Sequence, residues 1–255
     1  MTNLLDLGVT TLMIATVITF VAGFVKGAVG FAMPMIMISG LSTFLPASVA
    51  LAALIVPTMV TNVWQAVRDG PGAAMRSAWK LKRYVATVLI MIALSAQLVT
   101  VVPPNVMLLL LGIPLTVLAL AQLLGLQLRP NEKTRPYTEM GFALFAGFMG
   151  GIAGVWGPQT VMYLTAIETP KREQIRMQGV IFGLGSFVLM LAHIRSGVFN
   201  WGTGQLSAAM LVPALVGLMA GFAVQDRMDQ KRFRKATLLV LVVAGLNLIR
   251  RGSMG

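Results

Sequence analysis

The sequence predicts an all-α polytopic membrane protein made of two inverted repeats, each a broken-helix hairpin followed by three transmembrane helices. Three observations predict it. Hydrophobic residues make up 57% of the 255 positions, and the mean hydropathy of +0.83 leaves too little polar surface for a water-soluble domain of this length. A glycine- and proline-punctuated block recurs at a constant spacing of 124 residues. Lysine and arginine accumulate in alternate loops, and the alternation reverses between the two halves.

The composition also excludes several classes. Val85 to Val102 and Val106 to Leu126 are long apolar runs without a charged residue, close to the roughly 20 residues that a bilayer-spanning helix needs. Cysteine is absent, which removes disulfides, thiolate metal sites and thiol relays. The net charge of +12 sits in loops between apolar spans, not on one soluble face, so it reports membrane orientation and implies no nucleic-acid partner. The opening MTNLLDLGVT has neither a basic region nor a small-residue cleavage pattern, and is expected to begin the first membrane segment instead of a signal peptide.

The duplication is carried by Ala22-Gly23-Phe24, Gly27, Gly30 and Pro34, which recur as Ala146-Gly147-Phe148, Gly151, Gly154 and Pro158; Pro46 and Pro170 keep the same spacing. Within the first repeat, residues 1–127, the expected elements are a broken segment over 8–44 and plain spans over 48–67, 84–102 and 105–126. A cytoplasmic linker, 128–136, leads to the second repeat, 137–251, with a broken segment over 138–167 and spans over 177–194, 203–224 and 237–250. Together they form a single transmembrane domain.

Orientation follows from the preference of basic residues for the cytoplasmic side of short loops. Arg68, Arg76, Lys80, Lys82 and Arg83 mark one loop of the first half, Val102 to Asn105 carries none, and Arg129, Lys133 and Arg135 mark the next. In the second half Lys171, Arg172 and Arg176 mark one loop, only Arg195 the next, and Arg227 through Lys235 the third. This pattern requires each broken segment to enter and leave on the same side, which makes it a hairpin, and it relates the halves by a two-fold axis in the membrane plane. Arg250 and Arg251 then lie outside, against the rule. The second hairpin's first arm, Tyr137 to Met149, is expected to rise only about 20 Å, which places its tip inside the hydrocarbon. Irregular backbone is tolerated at that depth only against protein or a wet cavity.

Pro34 and Pro158 stand where a new half-helix begins, since proline suits the first helical turn and the amides after it lack intrahelical partners. Two such N-termini would bind an anion near the bilayer centre. The candidate binding residues are Lys26, Gly27, Gly30, Pro34 and Asn62 in the first half and Gly154, Trp156, Gly157, Pro158, Gln159, Gln178 and Ser186 in the second. Each has a plainer reading. Gly23-x-x-x-Gly27 and Gly147-x-x-x-Gly151 are also close-packing motifs. Lys26 is either a counter-ion inside an apolar run or a side chain that snorkels to an interface. Thr58 with Asn62, and Gln174 with Gln178 and Ser186, form helical stripes that line a cavity or simply bond neighbouring helices. Trp64 and Tyr163 are expected at the pocket and Trp79 and Trp201 at the interface. His193 is the only histidine, a proton-relay candidate or an interfacial side chain. All eight acidic residues fall at or near loops.

The duplicated AGF-x-x-G-x-x-G-x-x-x-P blocks, the prolines at 46 and 170 and the stretch Ser196-Gly197-Val198-Phe199-Asn200-Trp201 resemble the TauE/SafE sulfite exporter family over nearly the whole chain. The resemblance implies a secondary transporter, an exporter of small anions such as sulfite or organosulfonates, seated in a cell inner membrane. A passive anion channel, or an uptake permease for a sulfur-containing or carboxylate anion, is the alternative. The first block departs from the family's glycine-rich pattern at Lys26, Ala28 and Ala32. Gly183-Leu184-Gly185-Ser186-Phe187 is no nucleophile elbow and Ser186 and His193 share one helix, so no hydrolase is expected. The expected partners are the small anion and the lipid bilayer, with no cofactor; a homodimer is left open.

Overall fold

A computed structural model describes residues 8–95, 103–126, 133–153, 156–195 and 197–254. Every regular element among them is a helix: α1 (Val9–Val29), α2 (Met33–Leu41), α3 (Ala47–Val67), α4 (Pro71–Lys80), α5 (Lys82–Ser95), α6 (Pro104–Leu123), α7 (Arg135–Ala153), α8 (Gly157–Ala166), α9 (Lys171–Arg195), α10 (Trp201–Arg227) and α11 (Gln230–Ser253). Five of these, α1, α3, α6, α9 and α10, are long and apolar enough to cross a membrane.

The element order repeats as the sequence does. α1 and α7 end at Val29 and Ala153, α2 and α8 begin at Met33 and Gly157, and α3 and α9 begin at Ala47 and Lys171, each pair 124 residues apart. Both broken segments are therefore real breaks. α1 stops at Gly30, whose φ of 90° is left-handed and whose N–H bonds the Lys26 carbonyl at 2.6 Å. Only three residues separate α1 from α2, and Pro34 lies in the first turn of α2 as its missing N–H allows. Pro158 does the same in α8.

The helices differ from the expected spans at three places. α7 begins at Arg135 and runs 19 residues, about 28 Å, so its length gives no measure of how deep its tip lies. α9 and α11 begin at Lys171 and Gln230, several residues before their apolar stretches, because a helix continues into water while hydropathy marks only its lipid-matched part. The loop expected between the second and third elements contains α4, which exposes Met75 and Trp79.

The chain divides into two compact units, Met1–Ala74 with Ile175–Asp229, and Met75–Gln174 with Gln230–Gly255. In the first, α1 packs on α10 through small residues facing each other: a Cβ on Gly23 or Gly27 would collide with the Ala214 or Leu218 carbonyl, and one on Gly217 or Gly221 with that of Phe20 or Phe24. α2 buries Met33, Met37 and Leu41 against α1 and α3. α3 contains Pro57, which cannot donate to the Ala53 carbonyl; Ser207 Oγ of α10 supplies that bond at 3.3 Å and accepts from the Val56 N–H at 3.1 Å. Asn200 and Thr203 form a capping box at the start of α10. In the second unit α5 packs on α7, with Gly147 against Val88 and Met91, and α6 packs on α11 through Gly112 and Gly245. α8 is buried from Pro158 to Ala166, polar residues included.

Candidate functional site

At the first break the structure gathers polar side chains from three helices of one unit. Lys26, in the last turn of α1, is only 1% exposed. It does not snorkel to an interface. Its Nζ donates to Asn62 Oδ1 of α3, and Asn62 Nδ2 donates to Ser186 Oγ of α9 at 2.6 Å. Ser186 Oγ in turn donates to the Phe182 carbonyl at 2.6 Å. Among the described residues no carboxylate pairs with Lys26, and no acidic side chain is buried. An ammonium group held inside protein without a counter-ion is costly, and a single neutral oxygen offsets little of that cost.

Gly30 marks the other side of the break. Gln178 of α9 lies directly against it, so that a Cβ on Gly30 would collide with Gln178 Oε1. Gln178 is fully buried, and neither its Nε2 nor its Oε1 has a hydrogen-bond partner among the described residues. Gln65 donates through Nε2 to the Gly30 carbonyl at 3.0 Å and to the Ile175 carbonyl at 2.7 Å, while its Oε1 and the buried Thr58 Oγ1 stay unpartnered. Buried polar atoms are normally satisfied, so several orphans around one break mark a place where a ligand or water completes the set. α2 begins there without a side-chain cap, and its N-cap residue Ala32 is held at φ 75°. The opening amides of α2 thus remain available to an anion.

The second break belongs to the other unit. Trp156 is the N-cap of α8 and half-buried, Gly157 and Pro158 open the helix, and Gln159 is 1% exposed; this helix too lacks a side-chain cap. The Trp156 carbonyl accepts from Thr160 Oγ1 at 2.9 Å, and Tyr84 of α5 donates to Thr160 Oγ1 at 3.1 Å. Tyr84 also stacks on Tyr163 of α8, ring centroids 5.0 Å apart. Gly154 lies outside the described residues.

Of the candidates, Lys26, Asn62 and Ser186 form one bonded chain, and Gly30 meets Gln178. Pro34 is half-buried in the first turn of α2. Gly27 sits against α10, so the packing role of its motif is the one the geometry fills. Trp64 is 44% exposed on the outer face of α3, away from the expected pocket, because its position one-half turn from Asn62 turns it outward. Trp79 and Trp201 are exposed, at 70% and 84%, as interfacial side chains are. Gln174 bonds Thr165 Oγ1 at 3.1 Å in the second unit. Sequence reasoning missed Gln65, although Thr58, Asn62 and Gln65 fall at steps of four and three on one helical face.

The family model described as "Sulfite exporter TauE/SafE" matches residues 15–248. No curated protein matches the chain, and no solved structure does.

Proposed function

The chain belongs to the sulfite exporter TauE/SafE family, whose members are membrane transporters and not enzymes, and from that premise we propose that it exports a small oxyanion such as sulfite or an organosulfonate through a cell inner membrane, holding it at the first helix break. One observation carries the site: Lys26 is buried without a carboxylate partner among the described residues. A transported anion supplies the missing charge. Gln178 Nε2 and the opening amides of α2 add neutral donors of the kind a sulfonate or sulfite oxygen accepts. Asn62 keeps the ammonium group in place, and Ser186 fixes which end of the Asn62 amide faces Lys26. The α8 N-terminus, with Trp156, Gly157, Pro158 and Gln159, is a second uncapped half-helix start and the counterpart station in the duplicated design.

The inverted orientation of the repeats belongs to this proposal. It is supported by the reversed loop charge and by the bond between Asn62 and Ser186, residues 124 positions apart. Transport by alternating exposure of such a site is the general property of inverted-repeat carriers.

Flux through purified protein in liposomes tests the function over a panel of sulfite, sulfoacetate, taurine and carboxylates. Saturable flux for one sulfur oxyanion class is the expected result. Flux that rises linearly with concentration for every small anion would instead identify a passive channel.

A further inference from the structure

A cavity of about 280 Å³ lies in the second unit, between α5 and α7 near the first turn of α7. Arg83 and Arg135 line it together with Thr87, Glu139 and Met140. Arg83 has neither an ion pair nor a hydrogen bond among the described residues. Glu139 of α7 is the single carboxylate among the lining residues. The cavity therefore carries two permanent positive charges against one negative charge.

Its walls continue onto an exposed apolar face. Met140 on the rim is 46% exposed, and Leu144 one turn further along α7 and Ile90 on α5 are 42% and 59% exposed. Tyr137 and Trp79, at 81% and 70% exposure, mark the polar–apolar boundary at this end of the helices. A bare oxyanion would leave most of this space empty, since it equals roughly nine water volumes. An anion that carries its own polar spacer and apolar chain fills both the cavity and the groove beyond it.

We propose that this cavity is a headgroup site for an anionic phospholipid, with the phosphate on Arg83 and Arg135 and an acyl chain along Met140 and Leu144. Basic pockets between membrane helices take such phosphates by the same pairing of planar guanidinium and oxyanion. The proposal is independent of which anion the protein transports, because its readout is lipid retention.

The test is native mass spectrometry of the full chain in neutral detergent, titrated separately with phosphatidylglycerol and phosphatidylcholine. The wild type should retain one phosphatidylglycerol selectively, and the double variant Arg83→Gln, Arg135→Gln should bind it about thirtyfold more weakly, as expected for two lost surface charges. The variant Arg83→Lys, Arg135→Lys should recover part of that affinity. Competition on the wild type needs no variant: an excess of glycerol 1-phosphate or inorganic phosphate should displace little of the bound lipid. Equal retention of both lipids, or unchanged retention in a folded double glutamine variant, would overturn the proposal. Full displacement by inorganic phosphate would overturn the lipid assignment and leave a free-anion site.

Discussion

Asn62 Nδ2 donates a 2.6 Å hydrogen bond to Ser186 Oγ, and the two residues are each other's counterparts in the duplication, 124 positions apart. In any two-fold arrangement a residue touches its own counterpart only near the axis, as in a self-complementary interface. The duplicated positions no longer carry the same residue. One has become the amide that holds Lys26 and the other the hydroxyl that orients that amide, while the counterpart of Lys26 is Gly150. Sequence divergence has thus left one positive charge without a counterpart, and under the proposed inverted arrangement that suits a single anion better than two.

Asn62→Asp is expected to stabilise the fold and abolish anion binding. A carboxylate at this position gives Lys26 an internal counter-ion, a pairing worth about 1–3 kcal/mol when hydrogen-bonded and buried. The anion then competes with a covalently attached rival. Thermal unfolding in detergent, with and without sulfite, checks both parts; a variant that melts higher yet still gains stability from the anion would remove Lys26 from the site.

Lys26→Gln should lower anion affinity by tenfold or more, about 1.4 kcal/mol or above, while costing the fold little. Replacing a buried, poorly paired ion with a neutral amide relieves a desolvation penalty. Isothermal titration beside a melting curve separates the two effects, and equal affinity in variant and wild type would contradict the role given to Lys26.

Cysteines introduced at Pro46 and Pro170 should label from opposite sides of the membrane. Both positions are exposed, each just precedes a long helix, and the chain has no cysteine of its own to confuse the reading. Labelling of both from one side would refute the inverted topology.

The helix breaks, their half-helix starts and the duplicated order were legible because proline, glycine and apolar length are local signals with a direct backbone consequence. Helix ends that run into water were not, since Lys171 or Arg176 fits a solvated helix as well as a loop. The stripes of Thr58 with Asn62, and of Gln174 with Gln178 and Ser186, were visible from spacing, but spacing could not say that Asn62 would reach both Lys26 and Ser186. That depends on how α3 meets α9. Ser207 repairing the Pro57 break was equally hidden, because a carbonyl orphaned by proline gives no hint of which helix will answer it.

Ala32 occupies a left-handed conformation, φ 75°, one residue before α2, where the chain turns from one half-helix into the next. For an L-residue this costs about 1–2 kcal/mol, and a β-branched side chain there costs more. Ala32→Gly is expected to be tolerated or mildly stabilising, whereas Ala32→Val should lower stability by at least about 1 kcal/mol and anion affinity with it, as the turn shifts the opening amides of α2. Melting temperature and anion titration on the pair of variants read this out. A valine variant as stable as the wild type would mean that the turn relaxes to negative φ.

Efflux is expected to rise with an inside-negative membrane potential at equal pH, with no ion gradient. Among the described residues the acidic side chains stay out of the buried interior, and four of them are committed to ion pairs: Asp226 with Arg68, Asp69 with Arg176, Glu173 with Lys80 and Glu168 with Arg234. A carrier that loads and releases a proton or sodium ion along with its substrate usually presents a carboxylate to the pathway, and none accompanies Lys26. The substrate's own charge is then the coupling: one elementary charge across 100 mV is worth about 2.3 kcal/mol, enough to expel a monovalent anion from a negative interior. Liposomes loaded with the anion, with the potential set by potassium and valinomycin, provide the measurement. Flux that ignores the potential but follows a pH gradient would sink the uniport reading. It would direct attention to His193 as a proton-handling group.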